Sequence, residues 1–109
     1  MSDISPKQAF IRAMAADGRV KWSRHALGKL GAETVTVRDV ESALQQAQVI
    51  EDYPHLHRHL PDCLVLVLVS AGNPIHCVVA LDEVTNFILV VTVYRPLEKE
   101  WNDDWRTRK

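Results

Sequence analysis

The sequence predicts an α+β fold in which two or three helices pack on one face of a small antiparallel β-sheet meander. Three β-rich runs, 63–70, 75–81 and 87–94, follow one another with only short turns between them. Strands linked that closely are antiparallel neighbours. Ahead of them, apolar residues recur at helical rather than alternating spacing. With 109 residues there is room for one hydrophobic core, which helices and sheet must share.

Ser5-Pro6 reads as an N-cap with proline at the first helical position, and Phe10, Ile11 and Met14 carry the apolar stripe until Asp17-Gly18 ends it. Val20 and Trp22 alternate with Lys21, as a short strand or an extended lead-in. Ser23 caps a brief helix carrying His25, Ala26, Leu27 and Leu30, with Gly31 as its stop. Thr36 and Asp39 have capping-box spacing, with Asp in place of Glu, and Val37, Val40, Ala43, Leu44 and Ala47 set a helix over 37–47. Val49 and Ile50 open a short strand that Pro54 stops, and 55–61 is the least structured stretch. Ala71-Gly72-Asn73-Pro74 is the first hairpin turn, 82–86 the second, and Pro96 ends the last strand.

Pairing Ser70 with Ile75 sets Val69 opposite His76, Leu68 opposite Cys77 and Cys63 opposite Asp82. On that register the cysteines lie on opposite faces, which disfavours a disulfide within the hairpin; one residue of slip reverses the matching. Leu64, Leu66, Leu68, Ile75, Val79 and Leu81 then form the side that receives the helices. Val65, Val67, Val69, His76, Val78 and Ala80 form the other, joined by Tyr94 where Ile88, Val90 and Thr92 keep to it. That second apolar face needs a cover: a partner subunit, the N-terminal helix or the C-terminal tail. Trp101 and Trp105, four residues apart, suit a tail lying across an open sheet face and anchored by both rings.

Composition narrows the function classes. The formal charge of -1 gives no general pull toward nucleic acid or membrane. Residues 1–30 are basic, with Lys7, Arg12, Arg19, Lys21, Arg24 and Lys29 against Asp3 and Asp17, whereas 31–52 are acidic. Two cysteines make neither a secreted disulfide scaffold nor a paired-cysteine zinc site. The longest apolar run, 64–69, is too short to span a bilayer, and no signal-type segment opens the chain, so a cytoplasmic, non-membrane protein is expected. Neither a phosphate-binding glycine loop nor a nucleophile elbow is present.

Several blocks occur in a familiar order: Trp22-Ser23-Arg24-His25-Ala26, the Val40…Ala43-Leu44 helix, and Val49-Ile50-Glu51-Asp52-Tyr53-Pro54. Pro61 to Leu66, Gly72 to Ala80 and Val91-Thr92-Val93-Tyr94-Arg95-Pro96 follow, and Trp101 leads to a basic end. Together they resemble the bacterial family described as domain of unknown function 4258, over roughly residues 20–109. That family in turn resembles the RelE/ParE-type toxin fold, two helices on a small antiparallel sheet. Length and the lack of a domain linker predict one domain over 1–109, and the span of the resemblance divides it into an added helix at 1–19, a core of helices and sheet at 20–95 and a tail at 96–109. The resemblance carries over His25, His76 and Tyr94, with Glu51 and Asp52 as an acidic pair.

Cleaving RNA without metal needs a base for the 2′-hydroxyl proton, an acid for the departing 5′-oxygen, and donors for the phosphorane. His25 and His76 suit the proton roles near neutral pH. Tyr94 is the third catalytic candidate, and Arg95, Arg106 and Arg108 are the candidate RNA contacts. Each has a plainer reading: a half-buried helix histidine, a packing aromatic, an edge charge, a solvated terminus. His55, His57 and His59 alternate in the loop but lack the remaining ligands of a zinc site, so no metal and no cofactor is expected. The expected partners are RNA or the ribosome, or else an antitoxin-like protein or a second copy of the chain docked over the Val-rich sheet face in a noncatalytic role.

Overall fold

Each helix begins or ends where the chain supplies a local partner for its free backbone groups. The computed structural model describes residues 5–53 and 60–109. Helix α1 (Ser5–Ala16) closes at Gly18, whose φ of +70° lets the chain reverse so that the Arg19 N–H reaches the Met14 carbonyl at 2.8 Å. Strand β1 (Val20–Trp22) leads to α2 (Arg24–Gly31), capped by the Ser23 hydroxyl, which accepts from the Ala26 N–H. Helix α3 (Val37–Leu44) has both bonds of the Thr36–Asp39 capping box. It is shorter than the predicted 37–47. The N–H groups of Gln45, Gln46 and Ala47 bond three residues back, which tightens the exit into a turn while Ala47 stays buried.

The sheet contains β2 (Gln48–Tyr53), β3 (Asp62–Val69), β4 (Asn73–Asp82) and β5 (Phe87–Tyr94). Its order is β1-β5-β4-β3-β2. The last four strands form an antiparallel meander, but β1 pairs parallel to β5, so the sheet is mixed rather than purely antiparallel. The chain is an α+β fold with three helices against one face of an open sheet.

The hairpin register differs from the one predicted. The turn is Ser70–Gly72, with Gly72 at φ +75°, and both Asn73 and Pro74 already belong to β4. Val69 therefore pairs with Asn73 and Leu66 with His76, an odd shift that exchanges the faces of β3 against β4. Val65, Val67 and Val69, not the leucines, lie under the helices with Ile75, Cys77, Val79 and Leu81. The Val-rich face expected to dock a second copy is filled by the chain's own helices. Cys63 and Cys77 thus share this face, contrary to expectation; both are free thiols whose burial pushes their pKa up to about 12.

Helix α1 is built into this core. Ile11 and Ala15, four residues apart, join the buried cluster. On its flank, Gln8 accepts from the Val49 N–H at 3.0 Å, Arg12 donates to the Ala47 carbonyl at 2.8 Å, and Lys7 pairs with Asp52. The free edge of β2 and its lead-in are thereby given polar partners.

Candidate functional site

The opposite face of the sheet carries the candidate site, and two β-bulges aim it. In β2, Val49 pairs with Val65 and Glu51 with Leu64, so Ile50 is the extra residue. Val49 consequently stays in the core while Glu51 and Tyr53 turn to the far face. In β5, Val90 pairs with Val79 and Thr92 with Val78, leaving Val91 extra. Ile88 and Val90 therefore point to the helices, and Thr92 and Tyr94 join His76 on the far side, not all four together as predicted. Ser23 pins the second bulge: its hydroxyl donates to the Val91 carbonyl at 2.8 Å.

The C-terminal tail lies across this face, anchored by the Trp101 ring; Trp105 meets His76 through its backbone carbonyl and not, as expected, through its ring. The tail folds back on itself through a Trp101–Arg108 bridge, with the Asp104 carboxylate accepting from the Arg106 and Thr107 N–H groups in the turn. Trp101 is buried, as are Leu64, Leu66 and Ala80 of this face, whereas Leu68 is exposed. Trp105 takes φ +59°, a left-handed conformation that bulky residues rarely adopt.

His76 is at the centre and is 0% exposed. It lies opposite Tyr94, and the Trp101 ring meets it edge to face at 4.4 Å. Its Nε2 is 2.7 Å from the Trp105 carbonyl, and its Nδ1 is 3.2 Å from the Tyr94 hydroxyl. A carbonyl only accepts, so Nε2 carries the proton and Tyr94 donates to Nδ1. Neutral imidazole thus has both nitrogens satisfied. Burial lowers the His76 pKa and raises that of Tyr94, which keeps both groups uncharged.

Beside them, Arg108 donates to both oxygens of Glu51, at 2.6 and 3.0 Å, while its guanidinium stacks over Trp101 at 4.5 Å. The Tyr53 hydroxyl also donates to Glu51. The Arg108 bond holds the Glu51 carboxyl below its ordinary pKa, and burial together with the Glu51 contact pushes the Tyr53 phenol up to about 12.

Of the residues singled out in the sequence, His76, Tyr94 and Arg108 converge with Glu51. His25 lies at the rim, exposed, with Nε2 3.1 Å from the Thr92 hydroxyl. Thr92 and Tyr94 are two residues apart on one face of β5, about 7 Å along the strand, so His25 and His76 bond to neighbouring positions of one strand face. Arg95 is drawn away to Glu33 at 3.1 Å, and Arg106 is exposed beside Val49 and Ile50 at the other end of the tail. Asp52 turns to the helix side and pairs with Lys7. Tyr53 was missed as a site residue, although its i, i+2 spacing from Glu51 within a strand places both on one face. Among the described residues, no three of His, Cys, Asp and Glu come together as a metal site; His55, His57 and His59 lie outside the described residues. No described helix is long and apolar enough to cross a membrane.

Residues 22–95, which include every strand of the site, match the family described as Domain of unknown function (DUF4258). The chain belongs to that family. No curated protein and no solved structure matches it. The match to DUF4258 takes in His25, Glu51, Tyr53, His76 and Tyr94, and leaves α1 and the tail residues Trp101, Trp105 and Arg108 outside.

Proposed function

We propose that this DUF4258 domain is a toxin-related ribonuclease that cleaves single-stranded RNA without metal, through His76 and Tyr94. One observation carries the reading: His76, Tyr94, Glu51 and Arg108, drawn from β4, β5, β2 and the tail, gather on one sheet face. Proton-transfer groups and a cation made for bidentate phosphate contact are what the reaction requires. The RelE/ParE resemblance of the sequence points the same way.

In this reading Arg108 exchanges Glu51 for the RNA phosphate and the Trp105 carbonyl lifts off Nε2, while Trp101 keeps the tail on the sheet. A tautomer shift then places the His76 proton on Nδ1, facing the Tyr94 oxygen, and leaves a lone pair on Nε2. That nitrogen takes the 2′-hydroxyl proton as the 2′-oxygen bonds to phosphorus, and Arg108 steadies the phosphorane. His25 protonates the departing 5′-oxygen as the P–O5′ bond breaks, yielding a 2′,3′-cyclic phosphate and a 5′-hydroxyl. Arg95, on exchanging Glu33 for phosphate, and the exposed Arg106 are the further RNA contacts of this reading.

The test is cleavage of an end-labelled single-stranded RNA in EDTA, with the products' termini identified. Cleavage to cyclic phosphate ends, reduced by about a hundredfold or more in folded His76→Ala, is the expected result. Intact RNA in the presence of folded protein with His76 accessible overturns it. A second reading, a noncatalytic protein-binding domain, is favoured by the complete enclosure of His76 with both nitrogens satisfied. RNA left intact even where His76 is accessible supports that second reading, and equal cleavage by wild type and His76→Ala removes His76 from the reaction.

A further inference from the structure

We infer that the C-terminal tail is an autoinhibitory strap, latched by a Glu51 carboxylate that occupies the Arg108 fork where an RNA phosphate would bind. The inference rests on the ribonuclease reading for what is inhibited, but the latch itself is a separate physical claim.

The guanidinium presents two parallel N–H donors, a geometry that serves carboxylate and phosphate alike. Glu51 accepts both, at 2.6 and 3.0 Å. The pair is reachable from solvent, with side-chain exposures of 56% for Arg108 and 26% for Glu51, so an incoming phosphodiester can compete for the fork. Releasing Arg108 from Glu51 also loosens its neighbour in the tail hairpin, Trp101, over which it stacks.

Trp105 supplies the second, independent observation. Its carbonyl covers His76 Nε2, the nitrogen that does not face Tyr94. The residue that provides this carbonyl sits at φ +59°, and an aromatic residue in that region persists only while its surroundings hold it. Seating Trp105 on His76 therefore depends on the tail being fastened on both sides of it, by Trp101 and by Arg108. The bulge at Ile50 is what turns Glu51 toward this tail at all. Strap and latch thus come from different places: the latch lies within the stretch matched to DUF4258, and the strap follows it.

The test uses the full chain. Diethyl pyrocarbonate modification, mapped by mass spectrometry, reads the accessibility of His76, with His25 as the exposed internal standard. In wild type His25 reacts and His76 is protected. Glu51→Gln leaves one neutral acceptor in place of the carboxylate, and His76 is expected to react roughly fivefold faster. The exchanged pair, Glu51→Arg with Arg108→Glu, restores protection by re-forming the ion pair in the opposite sense. Protection unchanged in Glu51→Gln, or not restored in the exchanged pair, overturns the strap even where RNA is cleaved. Faster RNA cleavage by Glu51→Gln, in step with His76 accessibility, supports the autoinhibition. Accessible His76 with no cleavage overturns the ribonuclease reading instead.

Discussion

At the level of single residues, His76 makes the most specific demand on the fold. It is held neutral between an acceptor, the Trp105 carbonyl, and a donor, the Tyr94 hydroxyl. Burial lowers its pKa below the ordinary 6.5, so in the window between 6.5 and the folded value the unfolded chain binds a proton that the folded chain refuses. Stability through this group is therefore intact above about pH 6.5 and falls as pH drops toward the folded pKa. Glu51 adds a second loss at lower pH: its carboxyl is held below 4.5 by Arg108, and that contribution disappears as pH falls through the folded value. His76→Phe keeps a ring against Trp101 but leaves the Trp105 carbonyl without its donor. It should lower stability by about 1–3 kcal/mol at pH 7.5 and remove the His76 share of the acid dependence. Urea unfolding of both proteins from pH 7.5 to 5 checks this; equal pH slopes would show that His76 is not the titrating group. His76 and Tyr94 share a face through the Val91 bulge, not through the unbroken alternation of Ile88, Val90 and Thr92 that the sequence suggests. That both nitrogens of His76 are already engaged was not legible in the sequence, because the Trp105 carbonyl comes from a tail whose backbone path no side-chain pattern encodes.

At the level of elements, helix ends follow from local residues, whereas strand register depends on partners far away in sequence. The Ser23 and Thr36 caps, the Gly18 stop and the bounds of β5 follow from residues close in sequence, where backbone preference decides. The hairpin register failed on Asn73 and Pro74. They resemble turn residues, yet they extend β4, and shortening the turn exchanged which β3 face meets the helices. Both bulges escaped for a similar reason: Ile50 and Val91 are ordinary strand residues, and only the pairing partners on either side reveal them as extra. Helix α1 lies outside the stretch matched to DUF4258 but contributes Ile11 at 0% exposure to the core. Ile11→Ala should accordingly destabilise the chain by about 2–5 kcal/mol in denaturant titration, as a buried position does and an appended surface helix does not. Gln8→Ala, which leaves Ile11 in place, should speed amide exchange at Val49 by freeing its N–H, with a stability loss of about 1 kcal/mol.

For the whole molecule, the arrangement is a sheet with two apolar faces and two different covers. Three helices with capped or closed ends cover one face. The other is covered by a short tail that contains no helix or strand among the described residues and is held by the Trp101 ring, the Arg108–Glu51 pair and the Trp105 carbonyl. Trp101 is the buried anchor of that cover, 2% exposed with its ring edge to face against His76, and Arg108 of the tail stacks over it. Truncating it removes the largest buried side chain of that face, a change worth about 3–5 kcal/mol where the structure cannot collapse around the gap. The loss should fall on the tail before it falls on the helix face, because Ile11, Val40, Val65 and Ile88 do not share contacts with Trp101 through one buried cluster. Trp101→Ala is thus expected to keep its far-ultraviolet helix signal at low concentration while exposing Leu64, Leu66 and Ala80. A sheet face of that kind associates with another copy of itself. Sedimentation velocity should show concentration-dependent self-association in Trp101→Ala and much less in Glu51→Gln, which releases the latch without removing the anchor. Equal association in the two variants would mean that Arg108, not Trp101, holds the cover in place.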